Sequence, residues 1–313
     1  MNDWVVGIDL GATKIALGLI NPQHQIVARR RIPTNVLEGP QAAVERMAQN
    51  VADLAQELPA GERIAAVGIC SPGPLNHETG LIIDPPNLTG WRNVPMQQML
   101  TDRLNVPVRL EHDAKASALG EYHYGVGRGE RSMVYIVVGT GVGAAIIVDG
   151  QLYRGMHNSA GEVGHITINR NDEPGSSGVK GCVESYMSGP FLVQRYERLL
   201  RASNQQFPDQ PLTGELIAHL AAKGDKSARQ IMTQAGEALG VAIASLAMVL
   251  DIELYVIGSS VAKAGDLLLE PARQSMPHYC FQSVAATVRI VPASLGDDGP
   301  ILGCGWLARQ ALL

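Results

Sequence analysis

The sequence predicts a two-domain α/β protein, on three observations. Its 313 residues exceed a domain of about 150 and leave ample chain for a core. A strand–Gly-rich turn–strand pattern occurs twice, over 4–20 and again over 132–148, so two similar halves are expected. Between them Val44, Met47, Val51, Leu54 and Leu58 recur at the spacing of an amphipathic helix over 41–58. The composition agrees: 46% hydrophobic residues, 18% charged residues and 34 glycines against three phenylalanines describe a Gly-rich α/β globule, not a collagen or a coiled coil.

Taken in order, 4–8 is an apolar run ending in Asp9-Leu10-Gly11-Ala12-Thr13-Lys14, and 15–20 resumes as a second strand before Asn21-Pro22. A third strand covers 25–33, and the helix over 41–58 follows. Residues 64–70 form a short buried strand. Ser71-Pro72-Gly73-Pro74 breaks it and opens a long loop through Pro85-Pro86-Asn87-Leu88 to Trp91, a length more often functional than idle. A strand over 107–110 leads to Asp113, where a strand hands over to a helix over 114–124. The opening pattern then recurs: an apolar run at 132–138, the turn Gly139-Thr140-Gly141-Val142-Gly143, and a run at 144–148 ending at Asp149-Gly150. A long apolar-rich helix over 227–250, a strand over 254–257, the turn Gly258-Ser259-Ser260 and a helix over 300–313 complete the chain. The expected domains are 1–117, with 301–313 packing back on it, and 118–300.

Charge and cysteine usage exclude several function classes. Lys and Arg number 25 against 30 Asp and Glu, net −5, which supplies no footprint for nucleic acid or anionic lipid. Cys70, Cys182, Cys280 and Cys304 never form Cys-x-x-Cys, so neither a disulfide scaffold nor a self-contained zinc site is signalled. No basic leader precedes the first strand, and the apolar run 133–148 is interrupted by glycines and short of the roughly 20 residues of a membrane span. A cytoplasmic protein without a nucleic-acid or membrane partner is expected.

The two hairpin turns carry the chemistry. Small residues let backbone N–H groups approach an oxyanion together, so each turn can cradle a phosphate. One such turn alone is as readily a tight hairpin; two, opening two halves, suggest a polyphosphate held from both sides. Neither Gly-x4-Gly-Lys-Ser/Thr nor a Gly-x-Gly-x-x-Gly at the first strand–helix unit is present, which removes the P-loop and dinucleotide readings.

Together with Ala160-Gly161-Glu162-Val163-Gly164-His165, these two turns resemble the ROK (repressor, open reading frame, kinase) family of sugar kinases. Ser71-Pro72-Gly73, Asn87-Leu88 with Trp91, Asp113-Ala114, Gly181-Cys182-Val183-Glu184 and Gly258-Ser259-Ser260-Val261 match as well, in order and nearly end to end. The resemblance implies an actin-like, hexokinase-type pair of α/β domains around a cleft that binds sugar and ATP, and a homodimer. Asp113 is then the catalytic base, accepting the proton of a sugar hydroxyl; from position alone it could equally be a helix N-cap. Gly73, Asn87, His112, Glu162, His165 and Glu184 are the implied sugar contacts, although from the residues alone Glu162 and His165 could be plain surface polarity. Asp9 would orient Mg²⁺, through water or directly, while Gly11, Thr13, Lys14, Gly139, Thr140, Gly141, Gly143, Gly258 and Ser259 would line ATP.

Two departures stand out. Many family members hold a structural zinc with the His of Gly-His and three thiolates of Cys-x-Cys-Gly-x-x-Gly-Cys. Here Gly175 and Ser177 replace two thiolates and leave His165 and Cys182, too few for a closed tetrahedral site, so no bound zinc is expected. Where the family commonly has Asn-Asp-Ala-Asn, this chain has His112-Asp113-Ala114-Lys115. His112 is bulkier and chargeable, which keeps N-acetylmannosamine, N-acetylglucosamine, fructose, amino sugars and cyclitols open beside glucose and its 6-hydroxyl. A family-type repressor is disfavoured because the first phosphate strand starts at Trp4, and a catalytically silent sugar-binding protein because Asp9, Asp113 and both turns are retained. The donor could be ATP or polyphosphate.

Overall fold

The computed structural model describes residues 3–313. The chain divides into two compact units: one runs up to Arg128 and recovers Ser294–Leu313, and the other is Gly129–Ala293. The first unit contains β1 (Trp4–Leu10), β2 (Lys14–Ile20), β3 (Ile26–Pro33), α1 (Gly39–Ala55), β4 (Ile64–Ser71), a small pair β5 (Leu75–Asn76) and β6 (Leu81–Ile82), α2 (Met96–Leu104), β7 (Val108–His112) and α3 (Asp113–Tyr124). The second contains β8 (Met133–Val138), β9 (Val142–Val148), β10 (Gln151–Tyr153), α4 (Glu184–Met187), α5 (Gly189–Ala202), α6 (Gly214–Ala222), α7 (Lys226–Leu250), β11 (Leu254–Gly258), α8 (Asp266–Ser275), α9 (Gln282–Ala285) and β12 (Arg289–Pro292). Helix α10 (Gly299–Gln310) returns to the first unit.

The two main sheets have one topology. Their orders are β3-β2-β1-β4-β7 and β10-β9-β8-β11-β12. In each, an antiparallel meander is extended from its first strand by two parallel strands. The two Gly-rich turns read from sequence thus occupy equivalent places, at the β1–β2 and β8–β9 corners. The central strands are covered on both faces, which is why 4–8 and 133–138 read as unbroken apolar runs.

Several elements lay outside the periodic signals. The loop after β4 holds the β5–β6 pair, and α2 follows it with only Met96 and Leu100 buried, too few to mark a helical face. β10 is three residues long. Helices α5, α6 and α8 and strand β12 were likewise not singled out.

Alternation along β1 decides what each face meets. Val6, Ile8 and Leu10 pack with Val44, Met47, Val51 and Leu54 of α1. Val5 faces the other way, into a cluster with Ile301, Leu302 and Ala308 of α10. On that face Gly18, Gly7 and Gly68 form one rung across β2, β1 and β4. A Cβ at Gly7 would stand 2.1 Å from the Ile301 carbonyl oxygen, and one at Gly68 1.9 Å from that of Cys304. Helix α10 therefore lies directly on strand backbone, a separation no side chain permits. Glu121 ties the returning segment to α3: its buried carboxylate accepts from the Ser294 hydroxyl and the Leu295 N–H.

In the second unit the 25-residue α7 is long and apolar enough, by length and composition, to cross a membrane. Its Ile231, Met232, Leu239 and Ile243 instead share the core of that unit with Val134, Ile136, Tyr255 and Ile257. A helix surrounded by its own domain is apolar on most sides.

Candidate active site

In the first unit, the carboxyl ends of β1, β4 and β7 lie side by side, with Asp9 paired to Cys70 and Ser71 to His112. Chain register alone thus gathers Asp9, the Gly73 segment and Asp113. The helix N-cap is His112, and Asp113 is the first residue of α3, which corrects the reading of Asp113 as a cap. Asp113 Oδ1 accepts the Ala114 N–H at 2.6 Å and lies 2.9 Å from His112 Nδ1. Its side chain remains 44% exposed, so a second oxygen is free to meet a ligand. The His112 ring lies against Gly73, where a Cβ would be 2.7 Å from the imidazole. Burial pulls the imidazole pKa down, but the hydrogen bond and charge of Asp113 outweigh it and hold it above its ordinary value. Asn87 is exposed in the loop after β6.

Asp9 faces the α10 side of β1. Burial and the nearby Asp113 charge push its carboxyl up to about 6, despite a 3.5 Å contact from the Cys70 thiol. Lys14 pulls the other way and is itself 3.6 Å from Asp297, in the turn before α10. Excess carboxylate charge at this corner suits a divalent cation, and Mg²⁺ is commonly held by one or two carboxylates, water and substrate phosphates. Asp9 is the residue that would hold it.

The β1–β2 turn is closed internally. The Gly11 N–H donates to the Lys14 carbonyl at 2.9 Å, and the Thr34 hydroxyl donates to the Gly11 carbonyl at 2.6 Å. Thr13 stands exposed at the tip. The β8–β9 turn is closed one residue tighter, with the Gly139 N–H donating to the Gly141 carbonyl at 2.9 Å. Here the turn after β11 comes up against it, since a Cβ at Gly139 would be 2.7 Å from the Ser259 hydroxyl. Ser259 has φ +81°, a conformation uncommon for any residue but glycine. A Cβ at Gly258 would strike the Tyr135 hydroxyl at 2.0 Å, while Gly143 has open space around it. Beside the turn lies a cavity of about 380 Å³, lined by Gly139, Thr140, Pro190, Thr213, Glu215 and Ser260 among others. Its walls at Gly189-Pro190 and Thr213-Gly214-Glu215 were not singled out from sequence; a Gly-Pro helix start and a Thr N-cap were the available signals.

The third cluster is the loop preceding α4. Glu162 is largely exposed, 3.9 Å from His165 Nε2. The His165 Nδ1 is 3.0 Å from the Ser177 hydroxyl. Glu184 is buried, with Oε2 accepting the Val142 N–H at 3.1 Å and Oε1 accepting from the Ser176 hydroxyl. It thereby joins this loop to the β8–β9 turn, where it also lies 3.0 Å from a Cβ position at Gly141. The positions that would frame a zinc do converge: Ser177 bonds His165, and a Cβ at Gly175 would be 2.4 Å from the Cys182 sulfur. They offer one imidazole and one thiol, which does not make a closed zinc site. Among the described residues no group of three or more His, Cys, Asp or Glu is gathered for a metal ion.

The family model for ROK matches residues 5–311. The chain belongs to the ROK family. This ROK chain is 33% identical to a glucokinase of Halalkalibacterium halodurans over 98% of its own length and 95% of that protein. Its fold is similar to the crystal structure of a ROK hexokinase from Thermus thermophilus, with TM-score 0.82, 30% identity and 99% of each chain covered. It is also similar to a ROK family glucokinase from Streptomyces griseus solved with glucose and AMPPNP, with TM-score 0.80, 29% identity, and 98% and 99% of the two chains covered. The fold class is accordingly the actin-like ATPase type, two α/β units of like topology.

Proposed function

We propose that this ROK chain is a glucokinase, transferring the γ-phosphoryl group of ATP to the 6-hydroxyl of glucose. The observation that carries the reading is Asp113 at the first position of α3, half-exposed beside Asp9, in a chain related to glucokinases over nearly its whole length. Asp113 would accept the hydroxyl proton as the phosphoryl group transfers. Lys14 and the turns at 11–14 and 139–143 would bind the phosphates, and Ser259 and the cavity beside Gly139 the nucleoside. Gly73, Asn87, His112, Glu162, His165 and Glu184 would bind the sugar. Mg²⁺ at Asp9 would supply charge neutralisation for the triphosphate. The protein would work in the cytoplasm as a homodimer, with no nucleic-acid or membrane partner and without a structural zinc.

A second reading, a kinase for another sugar, is favoured by one observation. His112 stands where the family commonly has Asn, and its ring is fixed between Gly73 and Asp113. ADP release with MgATP across hexoses, N-acetylhexosamines, amino sugars and cyclitols tests both. Turnover highest with glucose supports glucokinase, turnover highest with another sugar supports the second reading, and silence on all removes both.

Asp9 also yields a stability prediction. A carboxyl raised to about 6 from 3.8 favours the folded state fully below its unfolded value of about 4, and that contribution is lost as pH rises through 6. Without Mg²⁺, Asp9→Asn is therefore expected to raise the unfolding temperature by a few degrees at pH 7.5, on the order of 3 kcal/mol, and to change little at pH 4. The same variant should lose most MgATP-dependent turnover. Thermal unfolding at the two pH values checks it.

A further inference from the structure

Three side chains outside the expected sugar contacts form one connected cluster that joins the loop between His165 and Glu184 to α4 and α5. Asp172, midway along the loop, accepts from Arg195 Nη2 at 2.9 Å and from the Tyr186 hydroxyl. The Arg195 guanidinium lies over the Tyr186 ring at 3.9 Å from its centroid, and its Nε donates to the Ser185 carbonyl at 2.7 Å. Tyr186 also accepts from Asn169 Nδ2 at 3.2 Å. Arg195 belongs to α5 and Tyr186 to α4, two residues after Glu184. The cluster therefore pins the middle of the loop to two helices.

The rest of the loop is braced from the same anchor. The Ile168 and Asn169 N–H groups converge on the Gly181 carbonyl, the Gly181 N–H donates to the Glu173 carbonyl, and the Thr167 hydroxyl donates to the Lys180 carbonyl. At its tip two adjacent serines reach two members of the sugar set: Ser176 holds the buried Glu184, and Ser177 holds the half-buried His165. Those serines can hold anything only if the segment behind them is fixed.

We propose that Asp172, Tyr186 and Arg195 are positioning residues that fix the loop 166–183, and through Ser176 and Ser177 the orientation of Glu184 and His165, in the role a metal ion would otherwise fill. The arrangement suits the task. A guanidinium that stacks on an aromatic ring while pairing with a carboxylate and a backbone carbonyl has three directions of motion blocked at once. Asp172 stays ionised far into acid, since the Tyr186 and Arg195 hydrogen bonds hold its carboxyl near 2. A thiolate–zinc site is lost when its ligands oxidise or protonate, whereas this cluster contains no sulfur. The proposal rests on the sugar-kinase reading for the roles of His165 and Glu184.

The test uses the whole protein, Asp172→Asn, Arg195→Met and Tyr186→Phe, with Arg195→Lys as the conservative variant. The first readout needs no substrate: trypsin cleavage after Arg170 and Lys180, both exposed within the loop. It is expected to quicken about tenfold in Asp172→Asn and Arg195→Met as the loop opens, and less in Arg195→Lys. The second readout is kinetic. Sugar KM is expected to rise about tenfold with kcat and ATP KM within about threefold, the pattern of lost ground-state positioning. A zinc-selective chelator should move neither readout in the unaltered protein. Unchanged trypsin resistance in Asp172→Asn and Arg195→Met would overturn the proposal, as would one bound zinc per untagged chain whose removal opens the loop. A loop that opens in a protein that phosphorylates no sugar would instead overturn the kinase reading and leave the anchoring role standing.

Discussion

Asp113→Asn is expected to lower kcat by about 10²–10⁴-fold, the usual worth of a positioned general base, while glucose affinity stays within about threefold. The separation follows from the local geometry. An asparagine oxygen can still accept the Ala114 N–H that Asp113 takes at 2.6 Å, so the start of α3 and the ligand-facing atoms stay in place. What disappears is the capacity to take a proton. Calorimetric glucose binding and single-turnover phosphoryl transfer measure the two halves. A companion signal requires no turnover: with the carboxylate removed, burial is left to dominate the His112 imidazole, and its titration should shift down from its present raised position. Near-normal turnover in this variant would remove Asp113 from the role of base.

Gly68→Ala is expected to be among the most damaging single-methyl substitutions in the first unit. The added Cβ would stand 1.9 Å from the Cys304 carbonyl oxygen, and the obstacle is helix backbone, which cannot rotate aside as a side chain can. Either α10 lifts from the sheet or β4 bows, and both spread the damage to Gly7 and to the cluster of Val5, Ala66 and Ile301. Overpacking of this kind costs about 1–3 kcal/mol and at times more; for a chain of this size about 2–5 °C in unfolding temperature is expected. Gly143→Ala is the control, since nothing stands near that Cβ position. Equal unfolding temperatures for the two variants would show that α10 does not rest on the strand backbone as described.

The chemistry of Asp9 links both variants. It sits two residues beyond Gly7 on the same face of β1, so the α10 that presses on Gly7 also starts from the turn bearing Asp297. Close helix packing and a charge-crowded corner thus meet where α10 approaches β1, and Gly68→Ala is expected to weaken turnover before it unfolds the protein.

What the sequence by itself determined is local or repeated. The two Gly-rich turns could be found because each interrupts an apolar run at the same place in a repeated pattern, and the equivalent β1–β2 and β8–β9 corners follow from that. Asp113, Glu162, His165 and Glu184 could be named as candidates because they stand in short motifs whose spacing survives without three-dimensional information. That Gly175 and Ser177 are not cysteines is likewise read from the sequence alone. Only the tertiary structure decided the rest, because it depends on residues that meet across long stretches of chain. No periodicity connects Gly68 to Cys304, so a packing glycine in β4 looks no different from a turn glycine. Asp297 has no motif, and it joins Lys14 only because α10 returns from the far end of the sequence. Asp172 and Arg195 stand 23 residues apart with no motif between them, and they pair only because a loop folds one against the helix that carries the other. Local pattern reports the conformation each segment prefers; which charges share a corner and which backbones touch is set by packing between segments, where burial raises the Asp9 carboxyl and hydrogen bonds from the Tyr186 hydroxyl and the Arg195 guanidinium lower that of Asp172.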